Sequence, residues 1–235
     1  SKEIENWFKY FGSLEYSIDE DLRFWMTTEK NPQPLDSLPP RPPKILSPPG
    51  EDELPDNWLA KDIGRPLKGG EIMSVDTLIL YGGGNDIWNN KDQFRFVYQK
   101  INTDFEFSVK INELLYTHSY AKAGIMVRSN LKHNSAHAII NIFPGGNTEF
   151  GFREKTGDRM KANSGPDLDW NTVKFKAIKR NNILNFYIYE NNSWGKYGEL
   201  NIENWGKTLF VGVVALSHDN SQLTAAKYSE IFLSK

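Results

Sequence analysis

The chain has no cysteine among its 235 residues, which excludes disulfides, thiolate metal ligands and a cysteine nucleophile. It has no apolar run near the roughly 18–20 residues that a membrane helix needs, and no stretch patterned as a secretory leader. It has no excess of basic charge: 28 Lys and Arg stand against 30 Asp and Glu, for a formal net charge of −2. Neither a membrane nor a nucleic-acid partner is therefore expected, since phosphate binding needs a concentrated basic surface. Histidine is scarce, and His133 and His137, four apart, fall in a loop-to-strand region where that spacing makes no zinc site. Gly82, Gly83 and Gly84 have no following Lys-Ser/Thr and open no helix, so they read as a bend and not as a phosphate loop.

What the chain does have is rings, with 7 Trp, 10 Tyr and 14 Phe. Most fall on alternating positions, as core side chains of strands do; a minority is available for stacking on a ligand. Near the start, Ile4, Trp7, Phe8 and Phe11 follow the i, i+3, i+4, i+7 spacing of one helical face, with Gly12 as a stop. Residues 31–50 then carry eight of the twelve prolines. Such a run disfavours helix and central strand and prefers an extended polyproline path. Pro39, Pro42 and Lys44 within it fit a proline-ligand pattern, so residues 1–50 are a candidate region for a protein partner. The expected organisation is an amphipathic arm over 1–30, a proline-rich linker over 31–53 and a folded domain over 54–235.

From Leu54 onward the period is 2. Phe94, Phe96 and Tyr98 alternate with Arg95, Val97 and Gln99; Phe105, Phe107, Val109 and Ile111 alternate with Glu106, Ser108, Lys110 and Asn112. The same alternation runs through 124–128, 137–142, 150–153, 173–178, 183–189, 209–217 and 225–233, separated by Gly-, Pro- and Asn-rich turns. About a dozen short antiparallel strands without helices between them predict an all-β, two-sheet sandwich.

At particular residues the chain resembles a known family. These are Trp58 with Asp62-Ile63-Gly64, Asp86-Ile87-Trp88 leading to Asp92-Gln93-Phe94, and the run from Tyr120 through Ala123-Gly124-Ile125-Met126-Val127 to Arg128. Ser135-Ala136-His137, Phe150-Gly151-Phe152-Arg153 and Val211-Gly212 leading to Ser217-His218 complete them. The resemblance is to the concanavalin A-like jelly-roll domains described as DUF1349, related to the C-terminal domain of family 43 β-xylosidases. It spans about Leu54 to the C-terminus. It implies two curved sheets with a concave face that holds carbohydrate or packs on a catalytic domain, preceded here by a helical or extended N-terminal arm.

If the apolar partners on each strand face the core, Lys122, Arg128, His137, Asn141 and Arg153 point out together, with His218 at a strand end. Beside Trp88 or Tyr120 they are expected to form a floor that hydrogen-bonds sugar hydroxyls while a ring stacks on the sugar face. The expected partner is accordingly an oligosaccharide or polysaccharide. Glycosidic cleavage needs two carboxylates roughly 5–9.5 Å apart. The ExDxxE strand pattern that would supply them is absent, which leaves only loop acids (Asp86, Asp92, Asp167, Asp169) for that alternative. Ser217 and His218 are adjacent and so point to opposite faces, which excludes them as a nucleophile–base pair. No organic cofactor is indicated; Asp62, Asn85, Asp86 and Asp92 are candidate oxygen ligands for a structural calcium. Asn191-Asn192-Ser193 is a formal glycosylation sequon at a hairpin tip.

Overall fold

The computed structural model describes residues 43–235 in full and, before them, the backbone of three short strands. Contacts divide the chain into two units, Ser1–Lys44 and Ile45–Lys235. In the first, β1 (Tyr16–Ile18), β2 (Phe24–Thr28) and β3 (Asn31–Pro32) form a small antiparallel sheet in that order. The helical face expected at Ile4, Trp7, Phe8 and Phe11, and the pattern around Pro39 and Pro42, lie outside the described residues.

The second unit is the expected sandwich. Its strands are β4 (Leu59–Ile63), β5 (Gly70–Met73), β6 (Thr77–Gly82), β7 (Ile87–Trp88), β8 (Lys91–Asp92), β9 (Phe94–Ile101) and β10 (Phe105–Leu114). There follow β11 (Lys122–Arg128), β12 (His137–Ile142), β13 (Asn147–Arg153), β14 (Lys161–Asp167), β15 (Lys174–Arg180) and β16 (Ile183–Glu190). The last are β17 (Ser193–Asn201), β18 (Leu209–Leu216) and β19 (Thr224–Ser234). One sheet has the order β17-β16-β15-β10-β19-β6-β5 and the other β14-β13-β12-β11-β18-β9-β4; β7 and β8 make a separate hairpin. Residues 45–53, expected in a linker, run along this unit: Ile45 bridges Leu223, and Asp52 takes the Met73 N–H and gives its own to Glu71.

The two sheets differ in how their outer faces meet solvent. On β10 every second residue from Phe105 to Ile111 is buried and the residues between are half-exposed, as alternation demands of a sheet covered on one face. On β11 and β12 every residue is buried. Ala123, Ile125, Val127, Ala138 and Ile140 fill the core between the sheets. On the opposite face, Phe94, Phe96, Met126, Ile139, Val214 and Leu216 form a second apolar cluster, joined by Ile87 from the β7–β8 hairpin and Met160 ahead of β14. Tyr228 of β19 crosses the core and ties the sheets: its hydroxyl accepts the Gly124 N–H (2.9 Å) and donates to the Val214 carbonyl (2.5 Å). The hairpin between β16 and β17 turns on Asn191 and Asn192, both at positive φ (49° and 61°), the backbone that a two-residue type I′ turn requires.

Candidate functional site

The outer face of the second sheet carries five of the side chains singled out from the sequence, Lys122, Arg128, His137, Asn141 and Arg153. Register places them in cross-strand rows: Arg128 opposite His137 and His137 opposite Arg153, then Gly124 opposite Asn141 and Asn141 opposite Glu149. Period-2 alternation therefore projected the right residues to one side. They form two clusters of different character.

The first is closed. Arg128, His137, Arg153 and Asp92 are all fully buried. Arg153 donates to both Asp92 oxygens (2.8 and 3.0 Å), and Arg128 Nη1 donates to Asp92 Oδ2 at 2.8 Å. Most of the remaining guanidinium donors go to loop carbonyls: Asn89, Ser135 and Asp158 for Arg153, Asn130 and Lys132 for Arg128. The expected hydroxyl-binding floor is thus corrected here. These guanidiniums staple the β7–β8 hairpin and the loops after β11 and β13 onto the sheet, and most of their donors are already spent. Burial opposes ionisation of Asp92, yet the two guanidiniums hold its carboxyl below the usual carboxylate range. His137 lies 3.6 Å from Asp92, but burial, aided by both arginines, pushes its imidazole down to about 3. The ring is neutral near pH 7, so that contact is not an ion pair.

The second cluster is open at one side. Lys122, at the other end of β11, is buried and its Nζ sits 2.5 Å from Asp86 Oδ1; His218 Nε2 lies 3.3 Å from Asp86 Oδ2. His118 and His218 stack at 4.3 Å between centroids. Tyr120 packs on His118, His218 and Phe143, and is 57% exposed. Lys122 Nζ stands 5.6 Å from the Phe143 ring centre. Beside them lie Asn141, completely buried, and Glu149, half-buried. Neither Nδ2 nor Oδ1 of Asn141, nor Oε1 of Glu149, has a hydrogen-bond partner among the described residues. Burial raises the Glu149 carboxyl above its ordinary value, with Lys122 opposing and Asp86 adding to the rise. Burial also acts to raise Asp86, but His218 and Lys122 outweigh it and hold Asp86 low. Four expected residues (Tyr120, Lys122, Asn141, His218) thus meet here. Glu149, His118 and Phe143 were not anticipated. Glu149 was legible, since it shares the face of Gly151 and Arg153 in the alternation of β13; His118 and Phe143, in loops, had no such signal.

Trp88 stands apart on the β7–β8 hairpin, 39% exposed, and its ring pairs with none of the described rings. The calcium expectation meets a different chemistry. Asp62 pairs with Arg95 (3.3 Å), Asp86 with Lys122 and Asp92 with Arg128 and Arg153, while Asn85 hydrogen-bonds Gln93 through its backbone. Cations already neutralise each aspartate, and no group of three or more metal-binding side chains converges among the described residues. These four residues do not fit a calcium ion. Of the other loop acids, Asp167 accepts from Asn147, and Asp169 caps the turn at Trp170–Thr172.

No protein-family model matches the chain, and no curated protein does. Solved structures do. A functionally unknown protein from Saccharomyces cerevisiae aligns with TM-score 0.58 and 17% identity over 75% of this chain and 94% of its own. The Bacteroides ovatus xyloglucan PUL protein GH43B aligns at 0.53 and 16% identity, over 91% of this chain and 44% of its own. A legume lectin-like domain from Entamoeba histolytica aligns at 0.51 and 12% identity, over 76% and 90%. These likenesses show the fold. The chain is a concanavalin A-like β-sandwich of the type that lectin-like domains adopt, and it spans less than half of GH43B.

Proposed function

We propose that this chain is a non-catalytic carbohydrate-binding module whose ligand enters beside Tyr120 and reaches Asn141. The observation that carries this reading is the Asn141 amide, fully buried with neither its donor nor its acceptor used. A buried primary amide left unpaired costs about 1–3 kcal/mol, and a ligand that supplies both partners recovers that cost on binding. Tyr120 offers an exposed ring, and Lys122, Asp86 and His218 offer polar atoms near it, the combination a sugar's apolar face and hydroxyls require. The lectin-like sandwich adds support at the level of architecture only.

Isothermal titration of the full chain against a panel of neutral oligosaccharides tests the reading. A binder is expected, and Tyr120→Ala should weaken it about tenfold or more by removing the stacking surface. Absence of any binder at millimolar concentration, or binding indifferent to both Tyr120→Ala and Asn141→Ala, overturns it.

A further inference from the structure

The pattern of unused atoms narrows the ligand further, on the footing of the sugar-binding reading above. Asn141 and Glu149 are directly opposite on β12 and β13, so their Cβ atoms are about 4.5–5.5 Å apart and their side chains leave the sheet together. Three atoms there are unpartnered: one donor group, Asn141 Nδ2, and two acceptors, Asn141 Oδ1 and Glu149 Oε1.

Each candidate ligand chemistry can be scored against those three atoms. A phosphate or carboxylate would satisfy Nδ2 but would face Glu149 and Asp86 with like charge. A metal ion or an ammonium group would satisfy the two acceptors, leave Nδ2 unpaired and meet Lys122. A hydroxyl both donates and accepts, so it can serve Nδ2 and one of the acceptors. It has only one proton, however, and two acceptors need two hydroxyls. The two acceptors sit on a directly paired couple of residues, so two hydroxyls on adjacent ring carbons are placed to serve both.

We infer that Asn141 and Glu149 form a specificity element for a vicinal diol on a neutral sugar ring. One hydroxyl donates to Glu149 Oε1 and accepts from Asn141 Nδ2; the adjacent hydroxyl donates to Asn141 Oδ1. Glu149 is the specificity-determining member, because an acceptor that is ionised holds a hydroxyl more strongly than the amide does. The groups that bear on its charge are Lys122 from β11, Asp86 from the loop before β7 and, through Asp86, His218 beyond β18. Burial raises its carboxyl, Lys122 opposing and Asp86 reinforcing, so the diol competes with a proton for the same oxygen. Affinity therefore increases as pH rises through the raised value, and a proton is released when the sugar binds.

The decisive experiment removes atoms from the ligand, so that no variant need fold. Isotope-labelled full chain is titrated with methyl glycosides of xylose, glucose, galactose and mannose. The backbone signal of Tyr120 and the side-chain amide signals of Asn141 are followed, and the titration is repeated with the 2-deoxy and 3-deoxy forms of whichever glycoside binds. Deleting either member of the recognised diol is expected to weaken binding about ten- to a hundredfold. Glu149→Gln is expected to weaken it about tenfold and to flatten its pH dependence, which a merely structural role for Glu149 would not do. If the glycosides shift both reporters but deoxygenation, and Glu149→Gln, leave affinity and pH profile unchanged, the diol inference is overturned while sugar binding stands. If no glycoside moves either reporter, both fall.

Discussion

Asp92 and Asp86 lie six residues apart, and each faces basic side chains rising from the outer face of the same sheet, yet their surroundings are opposite in kind. Around Asp92 two guanidiniums meet both carboxylate oxygens and loop carbonyls take most of the remaining donors, which leaves His137 Nε2 as the buried side-chain atom there without a partner among the described residues. Around Asp86 a lysine and a histidine meet the carboxylate, but the neighbouring amide of Asn141 and oxygen of Glu149 are left unpaired beside an exposed ring. A buried polar group that is satisfied contributes to the fold, and one that is unsatisfied costs stability unless something else pairs with it. The difference teaches that burial of polar groups on this sheet is compensated by loops at one end and left largely uncompensated at the other.

The largest effect that separates the two ends is the loss of each aspartate. Asp92→Ala strands two buried guanidiniums and is expected to lower stability by about 3–5 kcal/mol in urea unfolding. Asp86→Ala strands one buried ammonium, Lys122, instead of two guanidiniums, and removes a carboxylate that is itself 30% exposed, so it should cost less, about 1–3 kcal/mol. Equal losses would break the comparison.

Acid should distinguish them next, with opposite signs. His137, depressed to about 3, contributes stability that is present above the ordinary histidine value of 6.5 and is lost as pH falls through that lower value. Glu149, raised, contributes stability that is fully present below its ordinary 4.5 and is lost as pH rises through its raised value. Unfolding measured from pH 7 down to pH 3 should therefore steepen in Glu149→Gln and flatten in His137→Gln. A wild-type slope unchanged in both variants would mean that neither site couples to protons as described.

The smallest expected change is also the sharpest. Asn141→Leu replaces an unpaired amide with an apolar group of similar size beside Ile139 and Met126, and should alter stability by less than about 1 kcal/mol, in either direction. The same variant should lose the sugar binding proposed above. A large destabilisation would show that the amide already has partners that matter to the fold.

The alternation in β9 through β13 made the sandwich and the outward set of side chains readable, because strand geometry ties sequence parity to sheet face. Arg128, His137 and Arg153 were read correctly as sharing a face, but their burial was not legible. It arises from Asn89 and Asp92 in the short β7–β8 hairpin and from Ser135 and Asp158 in loops, segments that no periodicity describes. Asp92 itself looked like a calcium ligand because a carboxylate in a loop reads alike whether it awaits a metal or an arginine. Glu149 shows the reverse case, a residue whose face was legible and whose isolation was not.

The order of polar and apolar residues by itself determined that this chain makes two antiparallel sheets and which side chains stand on the outer face of the second. Only the tertiary structure decided which of those side chains are spent and which remain available. Hydrogen-bond satisfaction depends on segments brought from as much as 64 residues away, as Asp92 is to Arg128 (36 residues) and Asn89 to Arg153 (64 residues), and distance along the chain carries no record of it.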